Sequence, residues 1–261
     1  MKIPMYQVDA FASRPFAVNP AAVCVLDEWL EDGVLQDIAS ENNLAETAFI
    51  IKNADEYSLR WFTPTVEIDL CGHATLASAY VIFEFLEPTR REVIFNTMSG
   101  KLAVANSDDG KLVMDFPSRM PIKSDMPQTV IDAFNVKPLE VFQSDDLLVV
   151  FESEIDVQTL VPDLNKISEF KGCVGVVVTS VGVDVDFVSR SFAPNVGIAE
   201  DHVTGSTHCA LIPFWAERLG KTKLHAKQLS QRGGELFCED KGERVSIGGY
   251  ATLFMKGEIY V

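Results

Sequence analysis

The chain states one pattern twice, and that repetition limits its possible folds more than any other feature. Residues 60–85 read RWFTPTVEIDLCGHATLASAYVIFEF: a strand-like stretch ending at Pro64, a short acidic connection, then Ala74 to Phe85, apolar on nearly every side. A helix that is apolar all round must be buried. This one is too short, and too soon followed by Glu84, Glu87 and Arg90, to cross a membrane, so the pattern predicts a helix enclosed by sheet. Residues 192–211, FAPNVGIAEDHVTGSTHCAL, repeat it. At a constant offset of 130, Phe62, Pro64, Val66 and Ile68 meet Phe192, Pro194, Val196 and Ile198. After three extra residues Gly72 and His73 meet Gly205 and Ser206, ahead of a second apolar run from Thr207 to Leu219. Further on, Ser99 to Leu102 match Gly233 to Leu236, and each leads into a Gly-containing hairpin turn, SDDGK and EDKGE. Three matches in one order argue for a duplicated domain, with a period far too long for a solenoid.

The remaining segments fit around the two copies. Residues 2–11 alternate like a strand, and Val18 to Leu26 follow as a second. From Asp27, Leu30, Val34, Leu35 and Ile38 recur at helical spacing towards a stop near Asn42 and Asn43. NLAETAFIIK and Tyr57 to Phe62 read as strands, and a meander over Val93–Asn96, Leu102–Asn106 and Lys111–Phe116 closes the first half. Three prolines within 117–127 place a boundary there, giving domains 1–116 and 117–250. The second half predicts a helix near Gln128 to Phe134, strands at Leu147–Glu152, Cys173–Thr179 and Asp184–Phe192, the second enclosed helix and a closing meander. Pro213 lies inside that helix and should kink it. Residues 251–261 have no equivalent after the first meander, which leaves them free to return to the first domain.

With 47% hydrophobic and 23% charged residues the chain can build two soluble cores. Its formal net charge of −16 repels phosphate backbones and anionic membranes, so neither nucleic acid nor a membrane is an expected partner. A small anionic substrate is compatible with that charge, because helix amino ends make a pocket locally positive. The start, MKIPMYQVDAF, lacks an apolar signal region, and five scattered cysteines do not form a disulfide framework, which points to a reducing cytoplasm.

Two similar domains make a cleft, a favoured place for a ligand. Both enclosed helices offer backbone N–H groups at their amino ends, at Gly72/His73 and Gly205/Ser206, able to clamp a carboxylate or an enolate-like charge; the same glycines also serve simply as turn formers. Glu46, among Leu44, Ala45, Ala48 and Phe49, is the candidate base: burial raises a carboxyl towards neutrality, whereas a strand-end glutamate facing water would stay near its ordinary value. Asp201 stands a few residues before the second helix and is placed to cap it. His73 is a donor, an acid or a cap. Cys71 and His73 with His202, His208 and Cys209 invite a zinc reading, but no CxxC or HExxH spacing supports one, so no metal is expected. With no Walker loop and no GxGxxG entering a helix, no nucleotide cofactor is expected either. Ser206 has a histidine two residues on, but neighbours at that spacing on a helix point apart.

Taken together, QVDAF with NPAAV, NLAETAF, FTPTVEIDLCGHATLASA, EDHVTGSTHCAL and the SQRGGEL and IGG segments resemble, in order along nearly the whole chain, the phenazine-biosynthesis isomerase (PhzF-like) family, which shares its fold with diaminopimelate epimerase. The resemblance implies an α+β fold of two pseudo-symmetric domains, each a curved, mostly antiparallel sheet around a central helix, with the active site between them and usually a homodimer. It implies cofactor-independent proton transfer on a small carboxylate-bearing, amino-acid-like metabolite, with Glu46 moving the proton, His73, Asp201 and Ser206 around the substrate, and Gly72 and Gly205 accepting its carboxylate. Ala45 stands where the phenazine enzymes tend to have Ser, Val18 where Gly usually precedes NP, and His202 where Pro is common, so the phenazine substrate is not carried over. Two readings compete: a non-catalytic binding protein on this scaffold, and a cysteine-dependent racemase or epimerase in which Cys71, a candidate reactive thiol at the position of the epimerases' first cysteine, works with another base.

Overall fold

The computed structural model describes residues 1–15 and 19–261, and Val18, singled out above, lies outside the described residues. The chain divides into two units, Met1–Asp115 with Gly248–Val261, and Phe116–Ile247. Sheet dominates both, with a buried helix in each, and the class is α+β.

The first unit contains β1 (Lys2–Ala10), β2 (Asn19–Leu26), helix α1 (Asp32–Asn42), β3 (Glu46–Asn53), β4 (Glu56–Phe62), β5 (Glu67–Ile68), helix α2 (Gly72–Val81), β6 (Glu92–Thr97), β7 (Gly100–Asn106) and the start of β8 (Leu112–Pro117). Pairing runs antiparallel from β1 to β2, parallel to β3, antiparallel to β4, parallel to β6 and antiparallel to β7. The second unit contains β9 (Ile122–Lys123), α3 (Gln128–Ile131), β10 (Glu140–Gln143), β11 (Leu147–Val150), α4 (Glu154–Thr159), α5 (Leu164–Ser168), β12 (Val176–Val181), β13 (Phe187–Ala193), β14 (Ile198–Asp201), α6 (Gly205–Leu219), β15 (Lys223–Gln228), β16 (Gly234–Asp240) and most of β17 (Arg244–Gly249). From β10 through β11, β12, β13 and β15 to β16 the pairings again run antiparallel, parallel, antiparallel, parallel, antiparallel. The repeat in sequence is therefore a repeat of pairing order, with Phe62 ending β4 and Phe192 near the end of β13. The last strand, β18 (Ala251–Tyr260), pairs antiparallel with β1 and belongs to the first unit.

Helix α2 is buried along its length, from His73 to Val81 with the exception of Tyr80. Its alanines allow close approach to β1, β2 and β3, and its two hydroxyls are spent internally: Thr75 Oγ1 donates to the Cys71 carbonyl at 2.5 Å and Ser78 Oγ to Ala74 at 2.7 Å. A buried hydroxyl without such a partner would be destabilising by about 1–3 kcal/mol. Beyond Val81 the expected helix loosens into a π-helical turn over Ile82–Leu86, closed by the Glu87 N–H on the Ile82 carbonyl at 2.7 Å.

The second helix begins at Gly205, two residues before its apolar run, and continues past Pro213 to Leu219. Proline cannot donate to the carbonyl four residues back, that of Cys209. The backbone N–H of Arg119 occupies that carbonyl at 2.9 Å. Other boundaries shift: α1 starts at Asp32, five residues after the acidic start expected, and α3 is a single turn. Helices α4 and α5 were not expected, although Ser153 and Asp156 form a reciprocal capping box before α4, a signal visible in the sequence.

Candidate active site

In the first unit, Glu46 opens β3. Thr47 bonds Asn42 of α1 and Phe49 and Ile51 join the cluster that includes Leu35 and Ile38 of α1, so the two-residue alternation of a strand turns Glu46 to the other face, the side of α2. There its Oε2 lies 2.7 Å from Nε2 of His73 in the first turn of α2, and both side chains are buried, at 8% and 6% exposure. The glutamate does not face water. Despite the short separation, Oε2 makes no in-line hydrogen bond, so the contact is chiefly electrostatic. Cys71, the residue preceding α2, puts Sγ 3.5 Å from the other ring nitrogen, Nδ1, and 4.0 Å from Nε2. Gly72 opens the helix, whose first N–H groups have no intrahelical acceptor by geometry.

The electrostatics of this trio correct one expectation. Burial does push the Glu46 carboxyl upward, but the charge of His73 at 2.7 Å, helped by Cys71, outweighs it and holds the carboxyl below its ordinary value. Burial disfavours a charged His73, as does the helix amino end; against that, Cys71 and Glu46 raise the imidazole well above its ordinary value. The Cys71 thiol is pushed up by burial and by Glu46. The three directions favour a carboxylate beside an imidazolium, with the thiol protonated.

Its three donor atoms lie within 4.8 Å of one another, a spacing that invites comparison with a zinc site. The fit is poor. Ligands at about 2 Å from one tetrahedral ion stand roughly 3.3 Å apart, whereas Oε2 and Nε2 are 2.7 Å apart and the sulfur is nearer the opposite ring nitrogen. The geometry suits an ion pair.

In the second unit, Asp201 ends β14, and its Oδ2 accepts from the Thr204 hydroxyl at 2.7 Å. It does not cap α6. Thr204 takes that position, without a side-chain cap bond, because a second residue holds it from behind: Gln228, at the end of β15 and 1% exposed, accepts from the Thr204 N–H at 2.9 Å and donates to its hydroxyl at 3.1 Å and to the Asp201 carbonyl at 2.8 Å. Nδ1 of His208 meets the Thr204 carbonyl at 2.7 Å, which assigns the proton to Nδ1; burial lowers this ring to about 4, so it is neutral. Ser230 donates to the His202 carbonyl at 2.8 Å and accepts from Gly233, whose φ of +63° is open to glycine. Gly205 is buried at the start of α6 and Ser206 is exposed beside it. Because His208 is spent on a carbonyl and packed near Phe187, it is not poised as a base for Ser206. The His202 main chain is pinned, and the residue is half-buried.

Thr204, Gln228 and Ser230 were missed in the sequence. Gln228 left one trace, a polar residue on the inward side of KLHAKQ, where Leu224 and Ala226 are also buried. A cavity of about 450 Å³ lined by Ser124, Lys166, Phe170 and Cys173, among others, shares no residue with either cluster. Buried, closely convergent titratable groups mark a site better than volume does, and the buried trio of Glu46, Cys71 and His73 lies elsewhere.

The model of a family described as phenazine biosynthesis-like proteins matches residues 8–257. A Pseudomonas aeruginosa protein named as an uncharacterized isomerase is 49% identical over 261 residues, covering 100% of both chains. The crystal structure of a PhzF-family phenazine biosynthesis protein from Enterococcus faecalis superposes with a TM-score of 0.98 at 47% identity, covering 100% of both chains. A hydroxyproline epimerase from Agrobacterium vitis shares the fold at a TM-score of 0.59 and 9% identity, over 99% of this chain and 92% of its own.

Proposed function

Since the chain belongs to the phenazine biosynthesis-like, PhzF-type family, we propose that it is an isomerase that shifts a proton, without a cofactor, within a small carboxylate-bearing, amino-acid-like metabolite. The observation that carries this reading is the buried Glu46–His73 pair, 2.7 Å apart at the amino end of α2. Glu46 is ionised and so ready to accept a proton from carbon. Once it has done so its own charge is gone, and the His73 imidazolium is left to balance the delocalised negative charge on the substrate. Return of the same proton to another carbon restores the starting pair. In the first unit Gly72 is a donor to a carboxylate beside Glu46 and His73; in the second unit Asp201, braced through Thr204 and Gln228, and the donors Gly205 and Ser206 are its substrate-binding groups. A cytoplasmic homodimer is the proposed working form.

The raised Cys71 thiol stays protonated at neutral pH, which favours Glu46 over Cys71 as the base. The test is deuterium uptake from heavy water into a panel of cyclic and open-chain amino acids, wild type beside Glu46→Gln. Exchange abolished in the variant is the expected result. Full exchange by Glu46→Gln, with loss in Cys71→Ala, would replace this reading with the thiol-dependent racemase.

A further inference from the structure

The proton-transfer reading uses one nitrogen of His73, and the ring has two. Nε2 faces Glu46 at 2.7 Å, and Nδ1 faces the Cys71 sulfur at 3.5 Å. The ring is buried, so an Nδ1 with no partner would be unfavourable in either protonation state. A thiol is both a weak donor and a weak acceptor. Towards the imidazolium the sulfur accepts from Nδ1–H; towards the neutral ring protonated on Nε2 the S–H donates to the bare Nδ1. Cys71 is well placed to do both, since it stands at the capping position of α2 with no geometrically formed cap bond and only a minor interaction with the Ala74 backbone competing for its sulfur. Its neighbours Thr75 and Ser78 cannot substitute, because their hydroxyls are committed to helix carbonyls.

We propose that Cys71 is a positioning residue, whose thiol holds the second nitrogen of His73, fixes the ring against Glu46 and lets it change protonation without stranding a buried nitrogen. This role rests on the proposed function only in that it serves His73 there. It differs from that of a nucleophile, since no bond to sulfur forms. Glu46 from β3 and Cys71 from the connection before α2 are the titratable groups that act on the ring.

The experiment follows the His73 ring nitrogens of the full chain by side-chain proton–nitrogen correlation across pH, with His73→Gln supplying the assignment. Cys71→Ala should lower the proton affinity of His73 about tenfold, or about 1.4 kcal/mol, and Cys71→Ser, which keeps a donor and acceptor, should recover most of it. Cys173→Ser, a half-buried thiol of the second unit, should leave the titration unchanged. Where Cys71→Ala does not fold, Cys71→Val fills the volume without a donor or acceptor and carries the same expectation. A folded Cys71→Ala or Cys71→Val whose His73 titrates as wild type would overturn the proposal, as would a Cys71→Ser that behaves like alanine. No turnover is needed, so the two readings fail separately. A Cys71-dependent titration with full exchange by Glu46→Gln discards the proposed function alone, and a Cys71-independent titration with exchange lost discards this role alone.

Discussion

If Glu46 and His73 hold each other charged, removing either partner must destabilise the protein with opposite dependences on pH. The signs follow from the directions of the two shifts. A carboxyl lowered in the folded state contributes stability above its unfolded value of roughly 4.3, lost as pH falls. An imidazole raised in the folded state contributes stability below its unfolded value of roughly 6.5, lost as pH rises through the folded value. The pair is therefore at full strength between those two unfolded values and weakens on either side. His73→Leu leaves Glu46 with burial, which pushes the carboxyl upward, against only the weaker influence of Cys71. At pH 8 an unpaired buried carboxylate should lower stability by about 3–5 kcal/mol, or roughly 10 °C in Tm at about 2–4 °C per kcal/mol. At pH 5.5 the carboxyl can take up a proton, and the loss should shrink to about 1–2 kcal/mol for missing hydrogen bonds. Glu46→Gln should do the reverse. At pH 8 its His73 is neutral and the loss is about 1 kcal/mol; at pH 5.5 the buried ring resists a proton that the unfolded chain accepts, adding up to about 1.4 kcal/mol. Urea unfolding followed by the fluorescence of Trp61, buried in the first unit, reports both. Equal losses at the two pH values for His73→Leu, or a larger loss at pH 8 for Glu46→Gln, would refute the ion pair.

Gln228→Ala removes three hydrogen bonds from the turn before α6 and should destabilise the second unit by about 2–4 kcal/mol, read from the unfolding of Trp215. Pro213→Ala restores a helix donor to the Cys209 carbonyl that Arg119 now occupies, so hydrogen exchange at the Arg119 amide should quicken while stability changes by less than about 1 kcal/mol. In the native protein at pH 7.5, iodoacetamide should label Cys173 first: it is half-buried, whereas burial seals Cys24, Cys209 and Cys238 and raises the Cys24 thiol to about 12 and that of Cys209 to about 11. Mass spectrometry of the labelled peptides settles the order.

Much of this molecule is written locally. Whether a side chain meets water repeats with the period of its element, so the enclosed helices at Gly72–Val81 and Gly205–Leu219, the strands around them and the duplication were legible as patterns of apolar residues. The motifs NLAETAF, CGHAT and EDHVTGS likewise pointed to Glu46, Cys71, His73, Asp201 and Ser206 one by one. What the sequence could not supply was the distance between them. A charge is stabilised in inverse proportion to its separation from its partner and to the polarity of what lies between, and both are set only when β3 and α2 pack. That is why the Glu46 carboxyl lies below its ordinary value when its apolar neighbours alone argued for the opposite, and why Asp201 binds Thr204 and leaves the helix end uncapped. It is also why Gln228, far along the chain from Thr204, gave so little sign of itself: a hydrogen bond across the fold leaves no period in the sequence.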